Sequence, residues 1–403
     1  MSAARNATVN RRALALVCLF ALLGFGHENV MAAVLPLVVI DRGGDAAFVG
    51  ILVAAYGIPT IALRPILGRL LDMPHRDRVI RGGAAIIGVA PLGFILPALS
   101  TMVLTRVVQG AGWAAYGTSG HAILARIAPR GRRSEAAGYY NAMPALAVLL
   151  GPAAGLWLYA NVSEVGPFVL ASALGLAGLA LTSRLPSGAT ARTGVDTPVR
   201  PTVRLVAGLF DRSAVIPMLL IGTFMSVQSL FVIFAPVYAR VKGIPIEQLG
   251  LYYPAYGAVV LVAHLTLGRM SDRFGRWPAV GLGCVLAIAG LSVAALGAGL
   301  AGLLVGGILY GIATSLVTST VSAVTMESVP SERTGSAMAT YSVGYQLGAS
   351  VGGAAWGTVI TLAGYPWPFI LGAGMVAGTL VLARLRLPRG EGREPRGAAS
   401  GRA

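Results

Sequence analysis

The chain has 403 residues, 56% hydrophobic and only 11% charged, with a mean hydropathy of +0.75. A soluble domain is about a quarter charged, and surface-to-volume scaling leaves this chain too few polar residues to cover a water-facing core. The composition therefore excludes a soluble globular protein. The net charge of +16 could suit nucleic acid, but that role needs basic residues gathered on a soluble face, and the sequence contains no such module.

A spanning helix needs about 20 mostly apolar residues. Twelve such runs occur, at roughly 13–40, 47–70, 79–98, 101–124, 135–159, 166–184, 213–239, 248–270, 278–298, 301–326, 334–361 and 365–384. The first follows Arg11 and Arg12; it is too long for a signal peptide's apolar region and reads as an uncleaved helix. The longest polar stretch, 185–212, is rich in Pro, Gly and Thr and reads as a linker. The expected organisation is an N-terminal six-helix bundle (1–184), a cytoplasmic linker (185–212), a C-terminal six-helix bundle (213–385) and a basic, disordered tail (386–403).

Every basic residue is arginine except Lys242. With both termini placed in the cytoplasm, all but five of the 31 basic residues fall on the cytoplasmic side; the exceptions are Arg42, Arg240 and Lys242 in outer loops and Arg64 and Arg106 within spans. This asymmetry follows the positive-inside rule and predicts a multi-pass protein of the cytoplasmic (inner) membrane. Cys18 and Cys284 lie in apolar runs, and no His/carboxylate spacing suits a metal, so no disulfide, metal or cofactor is expected.

Shifting the chain by 200 residues superposes its halves. Gly50/Gly250, Tyr56/Tyr256, Gly57/Gly257, Gly68/Gly268, Arg69/Arg269, Asp72/Asp272, Arg76/Arg276 and Pro36/Pro236 are identical pairs. Two halves of one topology form a parallel repeat, an architecture in which transporters hold substrate between the halves near the bilayer midplane.

Of fifteen Asp and Glu residues, only Glu28 falls deep within a span. A carboxylate there is costly and marks a functional site; its proton responds to burial and to nearby charge. Glu28 lies about 22 Å from the cytoplasmic end of its helix and Arg106 about 21 Å, at 1.5 Å per residue. The matched depths predict a Glu28–Arg106 pair that couples a proton to transport. His27, about 100° around the helix, is a candidate relay or a helix-contact residue. Arg64, about five residues from the cytoplasmic end of its span, is expected to snorkel toward that end.

The stretch Gly268-Arg269-Met270-Ser271-Asp272-Arg273-Phe274-Gly275-Arg276 resembles the loop signature of the major facilitator superfamily between the eighth and ninth helices. Gly68-Arg69-Leu70-Leu71-Asp72 is a degenerate copy. Arg106-Val107-Val108-Gln109-Gly110-Ala111-Gly112 resembles the fourth-helix signature. Gly138, Gly151-Pro152 and Gly155 resemble the fifth-helix signature of the antiporter branch, with Ala147 and Leu156 in place of two glycines. The resemblance implies an all-α membrane fold of twelve transmembrane helices in two six-helix bundles. It also implies gating by Gly68, Asp72, Gly268, Asp272, Arg273 and Arg276, and close packing of the fifth helix, at Gly138, Gly151, Pro152 and Gly155, against a helix of the other half.

In that family the first, fourth, seventh and tenth helices line the cavity, helped by the fifth, eighth and eleventh. The resemblance thus assigns to the cavity Asn29, Gln109, Trp113, Tyr116, Asn141, Gln228, Tyr256, Thr314, Tyr345 and Gln346. Tyr252 and Tyr253 read as further wall residues or as interfacial anchors. Gln228 is the repeat partner of Glu28, so one half alone carries the acid. Such a wall suits a small amphipathic neutral or cationic solute. The expected function is proton-coupled efflux by alternating access, by a monomer in the bilayer with no enzymatic activity. Symport or facilitated diffusion of a nutrient or metabolite is the main alternative, and a non-transporting receptor or scaffold is another.

Overall fold

The computed structural model describes residues 11–72, 76–127, 133–185, 212–297, 299–327, 329 and 334–386. Apart from their end residues, the predicted linker and tail lie outside these. No strand occurs among the described residues. The chain runs through α1 (Arg11–Ala32), α2 (Val34–Asp41), α3 (Ala46–Asp72), α4 (Arg76–Val89), α5 (Leu99–Ile127), α6 (Arg133–Asn161) and α7 (Gly166–Leu181). The second half comprises α8 (Val215–Val232), α9 (Ala235–Val241), α10 (Ile246–Phe274), α11 (Arg276–Leu296), α12 (Gly299–Glu327), α13 (Thr334–Leu347), α14 (Gly353–Ala363) and α15 (Trp367–Arg386). This order follows the twelve apolar runs, with α1–α2, α8–α9 and α13–α14 each forming one run broken once.

The breaks at α1–α2 and α8–α9 have a common cause. Proline lacks an N–H, and its ring clashes with the carbonyl four residues earlier. Four residues before Pro36 is Ala32, where α1 ends, and four before Pro236 is Val232, where α8 ends. A carbonyl freed in hydrocarbon must find another donor. The hydroxyls of Tyr252 and Tyr253 supply it, donating to the carbonyls of Phe231 and Val232 at 2.8 Å each. The two tyrosines are fully buried and serve neither as interfacial anchors nor as open cavity wall.

Eight helical stretches among the described residues are long and apolar enough to cross a membrane: those of the first, second, third, fifth, sixth, seventh, ninth and tenth runs. The twelfth is apolar but shorter, Trp367–Leu382. The fourth, eighth and eleventh are helical throughout but carry polar groups such as Arg106, Gln109, His264, Tyr345 and Gln346.

Packing repeats between the halves. α1 packs on α6 and α7, α3 on α5, and α4 on α5 and α7; correspondingly α8 packs on α13 and α15, α10 on α12, and α11 on α12 and α15. Across the divide, α3 lies along α14 and α10 lies along α6. Those two seams exchange under the repeat, as a two-fold axis between the bundles requires. The α3–α14 seam is close enough to need glycine: a Cβ at Gly50 would stand 2.8 Å from the Ala354 carbonyl oxygen. Between α13 and α14 a π-helical turn, Gly348–Gly352, presses on α8, and a Cβ at Gly348 would overlap the Gly222 carbonyl.

Replacing Gly348 by Leu inserts a side chain where backbone already sits. The expected result is a loss of about 1–3 kcal/mol of stability, read as a lowered thermal midpoint of the purified protein.

Candidate functional site

α1 and α5 cross so that Glu28 and Arg106 face each other. Arg106 Nη1 lies 3.3 Å from Glu28 Oε1 and donates to Gln109 Oε1 at 2.9 Å. Gln109 sits one turn further along α5. Its amide nitrogen lies 2.8 Å from His27 Nε2, and His27 Nδ1 lies 3.1 Å from the Ala171 carbonyl of α7. Donor and acceptor roles along this chain follow from the two ends. Arginine only donates, so Gln109 offers it oxygen and turns its NH2 toward His27. His27 Nε2 then accepts, and Nδ1 carries the proton given to Ala171. The neutral imidazole is therefore an anchor between α5 and α7, and helix contact describes it better than a proton relay.

The Arg106 guanidinium also lies over two rings, 5.2 Å from the centroid of Tyr56 and 5.6 Å from that of Phe94, geometry within cation–π range. It is 6% exposed. Three buried polar atoms here lack a hydrogen-bond partner: Glu28 Oε2, Arg106 Nε and the Tyr56 hydroxyl. A half-buried pair held by one 3.3 Å contact, with its second carboxylate oxygen unpartnered, leaves desolvation incompletely offset.

These groups border a cavity of about 190 Å³ between the halves. Glu28, Tyr56, Thr60 and Arg106 line it from one half, and Ile233, Gln346 and Ser350 from the other. Of the residues assigned to the wall by sequence, Gln346 lines this space. Gln109 lies behind it, holding Arg106. Trp113 and Tyr116 turn into the first half's core, Tyr116 stacking on Phe20 at 3.9 Å and Trp113 meeting Phe25 edge-on at 5.0 Å. Asn29 donates to the Phe25 carbonyl of its own helix at 2.8 Å. Gln228 donates to the Tyr256 hydroxyl at 3.4 Å, so the second half repeats the Glu28/Tyr56 neighbourhood with an amide for the acid. Thr314 is buried with no partner for its hydroxyl, and Tyr345 is 41% exposed. The side chain of Asn141 lies outside the described residues.

The fifth-helix glycines differ from their expected use. Gly151 and Gly155 receive α1 of their own half, at Asn29 and at Val30. The close approach across the divide on α6 is made at Leu149, where a Cβ on Gly257 would stand 2.8 Å from its Cα. Pro152 lies within the helix; Gly138 is helical, and its surroundings are not described.

Arg64 follows Thr60 by about one turn of α3 and is not among the residues that line the cavity. A helical side chain leans toward its helix's N-terminus, which for α3 is the end away from Asp72. Arg64 is half-buried and within electrostatic reach of Tyr56 and, across the divide, Tyr345.

Among the gating residues, the side chains of Asp72, Asp272 and Arg273 and the surroundings of Gly68 and Gly268 are outside the described set. Arg276, opening α11, pairs with Glu327 at the end of α12 at 2.5 Å. At the opposite end of the molecule the halves are tied by Arg240 of α9 and Asp41 of α2, which Tyr159 also meets. Arg42 beside it pairs with Glu164 and donates to the Leu96 carbonyl at 2.6 Å. The sequence reading missed this cluster because its partners are far apart in the chain. The signal available was the repeat, which sets Asp41 and Arg240 at matching ends of α2 and α9.

A sequence profile of the Major Facilitator Superfamily matches residues 16–302 and 265–403. The chain is 31% identical over 157 residues to the quinolone resistance protein NorA of Staphylococcus aureus, a match covering 38% of this chain and 39% of that protein's length. It is 23% identical over 379 residues to the staphylopine export protein of Staphylococcus aureus (strain Mu50 / ATCC 700699), covering 91% of this chain and 94% of that protein. Among solved structures, the nucleoside transporter NupG superposes with a TM-score of 0.69 at 15% identity, covering 93% of this chain and 98% of that one. A bacterial homologue of the human lysosomal transporter Spinster, inward-facing and unoccupied, superposes at 0.71 and 17%, covering 94% and 95%.

Replacing Gln109 by Leu removes the link between Arg106 and His27 and strands polar atoms on both. The expected loss of stability is about 1–3 kcal/mol, measured by thermal unfolding; an unchanged midpoint means the chain of bonds carries no stability.

Proposed function

This chain belongs to the Major Facilitator Superfamily and is a multi-pass membrane transporter with no enzymatic role, and on that premise we propose that it exports a small amphipathic solute in exchange for protons. The carrying observation is Glu28, a span-embedded carboxylate that pairs with Arg106 through one oxygen and lines a cavity between the halves. A proton arriving at Glu28 removes its charge and loosens Arg106. A cationic group of the solute competes for the same oxygen. Occupancy by one therefore disfavours the other, which is the thermodynamic requirement for exchange.

Export rather than uptake is supported by two similar proteins whose names state resistance and export. The arginine asymmetry supports placement in the cytoplasmic membrane with both termini inside. Alternating access is then a rocking of the halves about the α3–α14 and α6–α10 seams. The Asp41–Arg240 tie holds the outer end shut in one state, and the loops around Asp72 and Asp272 latch the inner end in the other. The chain works as a monomer.

Everted membrane vesicles loaded with a fluorescent cationic dye and given a proton gradient test this. Glu28→Gln is expected to lower gradient-driven dye movement about tenfold or more while sparing downhill exchange. Transport that stays proton-driven with an unchanged pH profile in this variant overturns the mechanism. Accumulation of dye by whole cells driven by inward proton flow overturns the direction.

A further inference from the structure

We propose that Tyr56 is a positioning residue for the proton step, its hydroxyl donating to the second carboxylate oxygen of Glu28 while the acid is charged, in a bond that protonation weakens; this rests on the exchange reading above and names a residue that tunes it. The Arg106 guanidinium joins the two groups. Its Nη1 lies 3.3 Å from Glu28 Oε1, and its centre lies 5.2 Å from the centroid of the Tyr56 ring. Glu28, Tyr56 and Arg106 also border one cavity. Within this cluster Glu28 Oε2, the Tyr56 hydroxyl and Arg106 Nε are each buried without a hydrogen-bond partner.

A charged carboxylate oxygen only accepts, so Oε2 needs a donor. Its burial keeps bulk water from supplying one. The unpartnered donors at hand are Arg106 Nε and the Tyr56 hydroxyl. Nε belongs to a rigid plane whose Nη1 already meets Glu28 Oε1 and Gln109. The phenol hydroxyl can turn to suit an acceptor, and it lies within hydrogen-bonding reach of the Glu28 carboxylate. A bond to a charged oxygen is about twice as strong as one to a neutral oxygen, so it favours the charged acid over the protonated one.

The backbone at Tyr56 is fixed, which aims the phenol. Thr60 donates to the Tyr56 carbonyl at 2.8 Å and to the Gly110 carbonyl of α5 at 3.0 Å. There α5 presses so close that a Cβ at Gly110 would overlap the Tyr56 carbonyl. The next residue, Gly57, meets the second half: a Cβ there would overlap the Ser350 side chain of the π-helical turn. Tyr56 thus stands between the acid, the arginine and the α3–α14 seam, and its bond ties the charge on Glu28 to that seam. The other charged or titratable groups around Glu28 are Arg106 on α5 and His27 on its own helix, the latter held by Gln109 and Ala171. Arg64, further along α3, acts on the Tyr56 phenol. Opposite α1, α6 presents Gly151 to Asn29, and the second half lines the cavity with Ile233, Gln346, Ala349 and Ser350, none of which titrates.

Infrared spectroscopy of the full-length protein in nanodiscs reads the acid directly. The carboxylic-acid carbonyl band that the wild type gains on acidification and Glu28→Gln lacks reports protonated Glu28, and its growth gives the pH of half-protonation. A donor to the charged form favours that form, so removing it lets the proton bind more readily and raises this pH. Tyr56→Phe keeps the ring over Arg106 and removes the hydroxyl. The expected rise is about one pH unit, a tenfold gain in proton affinity. Gln346→Leu removes another polar group of the cavity, leaves the donor, and is expected to leave this pH where it is. In the wild type, the phenol C–O stretch of isotope-labelled tyrosine is expected to shift at the same pH, and to stay fixed in Glu28→Gln.

An unchanged or lowered half-protonation pH in Tyr56→Phe overturns this proposal and leaves the exchange mechanism standing. An equal rise in Gln346→Leu, which is a general loss of cavity polarity, also overturns it. So does a tyrosine stretch indifferent to the charge on Glu28, a result that needs no Tyr56 variant. A Glu28 that holds one charge throughout the range in which the protein stays folded overturns the exchange mechanism itself, and this proposal with it.

Discussion

Hydrocarbon offers no hydrogen bond, so each polar group this chain takes into the bilayer needs a partner from the chain itself. For most residues the helix ladder meets that demand, and the helical, strandless fold follows. Where proline interrupts the ladder, at Pro36 and Pro236, the chain must improvise. On the second half it does so with the hydroxyls of Tyr252 and Tyr253, which reach the carbonyls of Phe231 and Val232. Two aromatic residues that could have belonged to a substrate wall are thereby committed to the backbone.

The same demand shapes the polar interior. Arg106 is held by Glu28 and Gln109 and covered by the rings of Tyr56 and Phe94; Gln109 is in turn fixed by His27 and Ala171. The chain of bonds crosses three helices and fixes which atom donates at each step. It stops short at Glu28 Oε2, which is buried without a hydrogen-bond partner. A structure that satisfies His27 and Gln109 so completely leaves most of its unmet demand in the Glu28, Tyr56 and Arg106 cluster. The second half, with Gln228 on Tyr256, carries the neutral version of this neighbourhood. The repeat thus supplies a symmetric frame, and the chemistry sits on one side of it.

Close approach of the halves depends on residues without side chains. Gly50 and Gly357 let α3 meet α14, and Gly257 lets α10 meet α6 at Leu149. Small residues serve this purpose in membranes, where helices are drawn together by packing rather than by exclusion of water. Gly151 and Gly155 were legible as contact glycines, but their partner was not. They admit α1 of the same half, because helix–helix neighbours are a property of the bundle and not of the motif.

The sequence by itself determined the solvent, the helical class, the repeat and the depth of its charges. Composition, 3.6-residue geometry and a bilayer of fixed thickness are local or global constraints that need no knowledge of neighbours. They sufficed to bring Glu28 and Arg106 to one level. Only the tertiary structure decided which way side chains turn and what they meet. Matched depth could not say that Gln109 lies behind Arg106 or that Trp113 and Tyr116 turn into a core. The Asp41–Arg240 tie depends on two helix ends nearly 200 residues apart meeting across the divide. Such contacts are set by how the two bundles dock, and docking is decided by the shape of whole surfaces rather than by any one stretch of chain.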